Sequence, residues 1–244
     1  MSTAFIIGNG ESRLIFPIEK LKGKGQIYGC NAIYRDNKDL CEFIVSVNPE
    51  MSEELIQAQE DNKIPKDTKI YTVENLPKFE YVLQGDNKND PWRNWHGSDV
   101  KQGTSKSLDF ATHRGSGCSA VQLACENGNQ DIFIIGFDML GAVQWEMNDG
   151  ILSRKQNNVY KNTKNYPTRV SMKAYLKFEW IYHLRQLARY YNKVNFYYVS
   201  RSEYLDNNIY LRQAMETIPN FKYGIYADLK RVIEDDNKKG WKRF

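Results

Sequence analysis

The chain has 244 residues, with 34 Lys and Arg against 30 Asp and Glu and a formal net charge of +4 at pH 7. A composition of 41% hydrophobic and 26% charged residues excludes intrinsic disorder and fibrous repeats, and the length suits one globular domain spanning 1–244. The charge is too mild to establish nucleic-acid binding.

Targeting signals are weak in this sequence. The first ten residues have no basic segment and only a short apolar run, and no apolar stretch approaches the length of a membrane span. The four cysteines are too few and too scattered for a disulfide scaffold. We therefore expect a soluble, reduced, cytoplasmic protein without a transmembrane segment.

Short apolar runs alternate with helix-like segments along the chain. The runs that predict strands are Ala4–Ile7, Gln26–Tyr28, Phe43–Val47, Ile70–Val73, Ile132–Ile135 and Val194–Val199. The segments that predict helices are Met51–Asp61, Ser119–Glu126 and Met172–Tyr191. Several runs are continuously apolar, as in strands buried on both faces. The pattern predicts an α/β, Rossmann-like, mostly parallel sheet with helices on both faces.

Three regions do not fit this alternation. Gln84–Thr112 and Gly141–Arg169 are long and polar with little periodicity, which is typical of binding loops, lids or disorder. We predict that 141–170 forms a mobile, lid-like insertion. The charged tail Leu229–Phe244 is expected to be solvated.

The strongest local signal lies directly after the first strand. Gly8, Asn9, Gly10 and Ser12 form a Gly-x-Gly turn whose amides, with the start of a following helix, could face a phosphate. The turn lacks the third glycine of the dinucleotide fingerprint and the Gly-Lys-Ser/Thr of a P-loop, so NAD is disfavoured. A tight strand–helix turn without a ligand remains the alternative.

Two further asparagines follow predicted strands. Asn31 comes after one strand and Asn48 after the next, and the carboxyl ends of parallel strands share one edge. Asn9, Asn31 and Asn48 would then converge, and neutral amides suit a base, a ribose or a sugar ring. Each one alone could equally be a turn residue.

A second glycine-bearing loop precedes the Ser119–Glu126 helix. It contains His113, Arg114, Ser116 and Gly117, and its arginine could neutralise a phosphate or a carboxylate. The alternative is a capped helix with a surface arginine.

Five segments in this order resemble one protein family: IIGNGES, GCNAIY, SVNPE, HRGSGCSAVQLAC and IFIIGFDM. Their order and spacing are similar to those of the bacterial sialyltransferases of glycosyltransferase family 42 and the related motility-accessory-factor proteins. The resemblance covers about the first 140 residues. It implies a Rossmann-like fold that binds a nucleotide sugar, with a CMP-sugar as the favoured donor.

The resemblance also implies roles for the matching positions. Asn9 would lie in the phosphate loop, and Asn31 and Asn48 around the donor. Arg114 and Ser116 would contact sugar and phosphate. Gly136 and Asp138 match a strand-end Gly-x-Asp near the nucleotide.

The sequence departs from the family at three places. Glu11 replaces a proline of the first loop, and Leu140 stands where a lid tyrosine is expected, for which Trp145 or Tyr160 could substitute. The stretch 157–171 contains no histidine, although the family has its catalytic histidine there.

Other residues could supply the missing chemistry. Tyr160, Lys161, Lys164 and Tyr166 are suited to a lid over a diphosphate. The candidate bases are Asp138, His113, Glu146 and His96, with Tyr160 as a further catalytic candidate. His183, inside the long predicted helix, is expected to be a packing residue.

Metal use is not specified by any motif. The sequence has no Asp-x-Asp and no His/Cys cluster with zinc spacing, so we expect a metal-independent site. Mg²⁺ at Asp138 or at Asp36 and Asp39 stays open.

These signals together predict a glycosyltransferase that moves a sugar from a nucleotide-activated donor to a hydroxyl of a glycan, a protein or a modified nucleic-acid base. The alternatives are a Mg²⁺-dependent pyrophosphokinase, since an archaeal pterin enzyme of that kind is similar to the motility-accessory branch, and a non-catalytic nucleotide-sugar-binding module. A homo-oligomer is compatible with the sequence.

Overall fold

A computed structural model describes residues 2–76, 115–138, 145–148, 151–155, 157–166, 169–171, 176–206, 208–235 and 241–243. In chain order its strands are β1 (Thr3–Ile7), β2 (Gln26–Cys30), β3 (Phe43–Val45), β4 (Lys69–Tyr71), β5 (Asp131–Ile135), β6 (Trp145–Asn148), β7 (Ile151–Lys155), β8 (Arg169–Ser171), β9 (Asn195–Ser200), β10 (Phe221–Ile225) and β11 (Lys242–Arg243). Its α-helices are α1 (Pro49–Glu60), α2 (Gly115–Glu126), α3 (Leu176–Tyr190), α4 (Ser202–Asp206), α5 (Ile209–Met215) and α6 (Tyr226–Asp235). Short 3₁₀ helices cover Glu11–Ile15, Ile18–Leu21 and Asn31–Arg35.

The main sheet of the described residues has eight strands in the order β11-β10-β9-β5-β1-β2-β3-β4. All neighbouring pairs are parallel except β10 and β11. From β1 the chain winds outward through β2, β3 and β4, then returns to β5 on the other side of β1. The strand order therefore reverses between β1 and β5, which is the position where open α/β sheets bind ligands. The predicted α/β, Rossmann-like fold is confirmed.

Both faces of the central strands are covered. Ile6 and Ile134 point to a core that α2 and α3 complete. Phe5 and Ile135 point to the opposite core, which contains apolar residues of α1 and α6. Because every side chain of β1 beyond Thr3 is buried, the strand is continuously apolar rather than alternating.

Several predicted boundaries were wrong by a few residues. The strand predicted over Phe43–Val47 ends at Val45, and the one predicted over Ile70–Val73 ends at Tyr71. The helix predicted to begin at Ser119 begins at Gly115. These two strands end before their apolar runs do, because the last residues of each run lie in a loop that packs against the core.

The mobile, lid-like role of 141–170 stays a prediction, but the region contains strands that the polar, aperiodic sequence did not indicate. The backbone of its described residues contributes β6, β7 and the start of β8 to a separate antiparallel sheet. An Asp-Gly pair stands in the sequence between the first two of these strands, and such a pair is a standard hairpin signal.

The expectation that the C-terminal tail is solvated was also wrong. Leu229, Val232 and Ile233 are buried on α6, where they share the core below the sheet. Trp241 packs edge-on against the rings of Phe133 and Tyr197. The charged residues of α6 in this tail, Lys230, Arg231, Glu234 and Asp235, are exposed on the opposite face of an amphipathic helix. Among the described helices, none combines the length and the apolarity needed to cross a membrane.

Replacing Trp241 with alanine tests this correction. We expect the free energy of unfolding to fall by about 2 kcal/mol, because a half-buried indole in contact with two core rings is lost. Urea denaturation followed by circular dichroism measures the change, with Lys230→Ala on the exposed face of α6 as the control. An unchanged midpoint for Trp241→Ala would restore the interpretation as a solvated tail.

Candidate functional site

The loops after β1 and β5 are joined at the point where the strand order reverses. Gly8 N donates to Ile135 O, and Gly10 N donates to Gly136 O, both at 2.8 Å. A Cβ at Gly8 would lie 2.6 Å from Gly136 O, and a Cβ at Gly10 would lie 2.4 Å from the Asp138 carboxyl carbon. The glycines are therefore needed for two backbones to approach this closely.

The helix predicted after the first loop is only a five-residue 3₁₀ helix, Glu11–Ile15. At its start Ser12 N donates to Asp138 Oδ2 at 2.7 Å, so a carboxylate of the β5 loop caps it. Gly8, Gly10 and Ser12, whose amides were predicted to face a phosphate, thus donate to protein acceptors in this structure. These three amides are therefore not free to bind a phosphate here.

Asn9 is a buried polar residue at this junction, with 8% of its surface exposed. Its Nδ2 donates to the Tyr166 hydroxyl at 3.1 Å. No described residue supplies a hydrogen bond to its Oδ1, which is buried. Because an unpaired buried acceptor is costly, Asn9 offers a strong site for a donor from a ligand.

Asn31 and Ser116 connect the next strand ends. Asn31 follows β2 in the left-handed region (φ 53°), which asparagine tolerates better than most residues. Its Oδ1 accepts from Ser116 Oγ at 2.7 Å, and Ser116 Oγ accepts from Val47 N at 3.1 Å. The ends of β2 and β3 and the start of α2 therefore meet through one hydroxyl.

Asn48 has a local structural role at the start of α1, in line with the alternative that it is a turn residue. Its Oδ1 accepts from Met51 N at 3.0 Å and caps α1. Gly117 on α2 faces Phe137, where an added Cβ would lie 2.5 Å from the ring, so this glycine lets α2 approach the β5 loop.

The remaining candidates are covered unevenly by the structure. His113, Arg114, His96 and Leu140 lie outside the described residues, and only the backbone of Trp145 and Glu146 is described. His183 is buried on α3, as expected for a packing residue.

Residues 157–166, here called the covering segment, pack across these loops. Val159 N donates to Asn9 O at 2.8 Å, and Asn157 Nδ2 donates to Asp138 Oδ2 at 3.0 Å. The Tyr166 hydroxyl also has a backbone hydrogen bond with Ala32, just beyond β2. The segment therefore contacts the loops after β1, β2 and β5 together.

Tyr160 anchors the covering segment through its hydroxyl. It donates to the Asp36 carboxylate and accepts from Arg13 Nη2 at 2.9 Å, while Arg13 pairs with Asp36 at 3.1 Å. Burial, with the Asp36 carboxylate, raises the pKa of Tyr160 well above its usual range despite the opposing effect of Arg13. The hydroxyl is fully used in docking here, and its catalytic role stays a prediction.

The lysines of the covering segment differ in their contacts. Lys161 pairs with the Glu11 carboxylate. Lys164 contacts Arg35 Nη2 through its backbone carbonyl at 3.1 Å, while its side chain is exposed. Arg35 is held by both oxygens of Glu54 at 2.6 and 2.8 Å, and it donates to Thr163 Oγ1 at 2.7 Å.

Sequence reasoning missed Arg201 and Tyr204, which follow β9 at the same edge of the sheet. Arg201 Nη2 donates to Glu11 O at 3.3 Å, and its guanidinium lies 5.7 Å from the centre of the Tyr204 ring. The rule that ligands bind beyond the carboxyl ends of strands would have pointed to Arg201, because it lies two residues after the predicted strand Val194–Val199.

No group of three or more His, Cys, Asp or Glu side chains is arranged to hold a metal ion in the described ranges. Asp36 is engaged by Arg13 and Tyr160, and Asp138 Oδ2 by two N–H donors. Magnesium at either aspartate would have to displace or share these contacts.

Alkaline pH should destabilise the protein through buried tyrosines. Burial raises the pKa of Tyr166 and of Tyr28 to about 12, while an unfolded tyrosine titrates near 10. Since the folded pKa is higher, the stabilisation is complete below pH 10 and is lost as pH rises through 12. Between pH 10 and pH 12, the free energy of unfolding of the wild type should therefore fall by about 2 kcal/mol more than that of Tyr166→Phe. Urea denaturation at a series of pH values measures this difference.

The matched control for this experiment is Tyr210→Phe, because Tyr210 is 45% exposed. Its pH profile should follow that of the wild type. Identical profiles for wild type and Tyr166→Phe would contradict the burial of this hydroxyl between the covering segment and the loops after β1 and β2.

No family model, curated protein or solved structure matched this chain. The fold and the site geometry therefore carry the functional argument.

Proposed function

We propose that this protein is a glycosyltransferase that binds a nucleotide-activated sugar at the carboxyl edge of the parallel sheet. The observation that carries the proposal is the buried Oδ1 of Asn9, which has no hydrogen-bond partner among the described residues and lies beside the strand-order reversal between β1 and β5. That oxygen needs an O–H or N–H donor, and sugars and nucleobases offer both.

The neighbouring groups support a sugar nucleotide rather than a dinucleotide. Asn31 and Ser116 are neutral hydrogen-bonding groups joined across two strand ends, and they suit a base, a ribose or a sugar ring. The resemblance of the loop motifs to family 42 favours a CMP-sugar. The absence of the third fingerprint glycine from the sequence argues against NAD.

The proposed reaction exchanges one C–O bond for another. The acceptor oxygen forms a bond to the anomeric carbon while the bond from that carbon to the phosphate oxygen breaks. For a CMP-sugar, the nucleoside monophosphate leaves with the bonding electron pair, and the acceptor proton passes to a base. Asp138 is the described carboxylate at the junction, and His113 is the alternative base from the sequence.

The covering segment supports this chemistry by its position. Its contacts with Asn9, Ala32 and Asp138 close over the loops where the donor would bind. Closure of this kind excludes water, which would otherwise hydrolyse an activated sugar. Lys161 and Lys164 lie on the same segment as candidate contacts to the phosphate.

A thermal-shift panel of nucleotides and nucleotide sugars, followed by chromatography of the products, tests the proposal. Ligands selective for the folded state raise the melting temperature, and we expect the largest shift with cytidine nucleotides and release of CMP with a competent acceptor. A shift selective for UDP or GDP would change the donor but keep the reaction class.

Other outcomes of the same panel would contradict the proposal. Absolute dependence on Mg²⁺ and ATP with release of AMP would favour the pyrophosphokinase. Donor binding without product across many acceptors would favour the non-catalytic module. No shift with any nucleotide would remove the proposed ligand class.

A further inference from the structure

A second group of charged side chains lies beyond the ends of β1 and β9, on the side of the junction away from Asn31. Lys161 pairs with the carboxylate of Glu11, and Arg201 Nη2 donates to the backbone carbonyl of the same residue. Two cations from distant parts of the chain are thus brought to one glutamate. Neither of the predicted phosphate-binding loops accounts for this arrangement.

Hydrogen-bonding capacity is left unused around this pair. Arg201 Nε is buried, and no described residue accepts from it. Tyr204 lies against the Arg201 guanidinium and is hydrogen-bonded to the Asn157 side chain. Asn157 in turn donates to Asp138, which links the group to the junction between β1 and β5.

We infer that Arg201 and Lys161 bind a phosphate group of the ligand, and that the Glu11 carboxylate occupies this position until the phosphate displaces it. The inference deepens the proposed function and rests on it for the identity of the phosphate-bearing ligand. It places the charged end of the donor at Glu11 and the sugar or base toward Asn9 and Asn31.

Charge and exposure support the exchange. Arginine with its fork of donors and lysine with its compact charge are the two side chains that most often hold phosphate oxygens. The Glu11 side chain is 27% exposed, so it can turn to solvent when its ammonium partner is taken by a stronger anion. The contact between Arg201 and the Glu11 backbone survives this movement and keeps the guanidinium in place.

Calorimetric titration with inorganic pyrophosphate tests the site in the full-length chain. We expect saturable binding by wild type, and binding about tenfold weaker in Arg201→Gln and in Lys161→Gln. Glu11→Gln should instead bind several-fold more tightly, because it removes the competing negative charge. The control Arg212→Gln changes an exposed arginine that contacts only Leu205 O and Asp206 among the described residues, and it should bind as wild type does.

The variants are expected to change the pyrophosphate affinity in opposite directions, and this distinguishes a binding role of these side chains from a structural one. A merely structural role would make Arg201→Gln, Lys161→Gln and Glu11→Gln weaken binding alike, and that result would overturn the inference. Wild type without saturable pyrophosphate binding, or Arg201→Gln with wild-type affinity, would also overturn it.

The test separates this inference from the proposed function. Sugar transfer that is insensitive to Arg201→Gln would leave the transferase intact and remove the phosphate site. Pyrophosphate binding that depends on Arg201, in a chain that takes no nucleotide, would retain the site and remove the transferase.

Discussion

Replacing Gly10 with alanine is expected to lower the free energy of unfolding by about 3 kcal/mol. The added Cβ would lie 2.5 Å from Gly136 O and 2.6 Å from Asp138 Oδ2. The backbone of Gly10 is in an ordinary extended conformation (φ −68°, ψ 144°), so the whole cost is steric. The clash would push Asp138 away from Ser12 N, and ligand binding should weaken together with stability.

The control for Gly10→Ala is Gly23→Ala, measured by the same urea denaturation. Gly23 has a positive φ of 77°, but an added Cβ would have no atom within 4 Å. It should therefore cost only the conformational strain of about 1 kcal/mol. If Gly10→Ala proved no more destabilising than Gly23→Ala, the loops after β1 and β5 could not be packed as described.

Removing the Asn31 side chain is expected to reduce donor binding at least about 100-fold, a loss of roughly 3 kcal/mol for hydrogen bonds that the site cannot replace. Asn31→Gly is the suitable variant, because glycine adopts the positive φ of this position without strain, whereas alanine does not. Calorimetry with the nucleotide sugar that gives the largest thermal shift provides the measurement.

The matched control for Asn31→Gly is Asn62→Gly, since Asn62 also has a positive φ (57°) but is exposed beyond α1. Both variants should retain the wild-type circular-dichroism spectrum, and Asn62→Gly should retain wild-type affinity. Intact donor binding by Asn31→Gly would refute the assignment of Asn31 to the site.

The fold could be predicted from the sequence because strands that are buried on both faces of the sheet have a recognisable, continuously apolar sequence. Strands such as Ile132–Ile135 are continuously apolar, and several of the predicted strands are followed by a glycine or an asparagine where the chain turns. The antiparallel strands β6, β7 and β8 have no continuously apolar run, since their sequences are polar and their pairing depends on a turn. Trp241 was missed because a single aromatic residue among charges gives no periodicity.

The candidate site could be predicted only in part. Asn9 and Asn31 follow from one rule, that side chains at the ends of parallel strands share an edge, and Ser116 was indicated by the glycine-bearing loop before the Ser119–Glu126 helix. The cap of the 3₁₀ helix by Asp138 and the anchoring of Tyr160 by Arg13 and Asp36 involve residues more than 100 positions apart. Such contacts depend on tertiary geometry, which spacing along the chain does not encode.

The most direct test of the account is a crystal structure of the protein with the nucleotide that stabilises it most. We expect the nucleotide beyond the ends of β1 and β2, with a donor group within hydrogen-bonding distance of Asn9 Oδ1 and its phosphate against Arg201. A nucleotide bound elsewhere, with Asn9 Oδ1 still unpartnered, would contradict it.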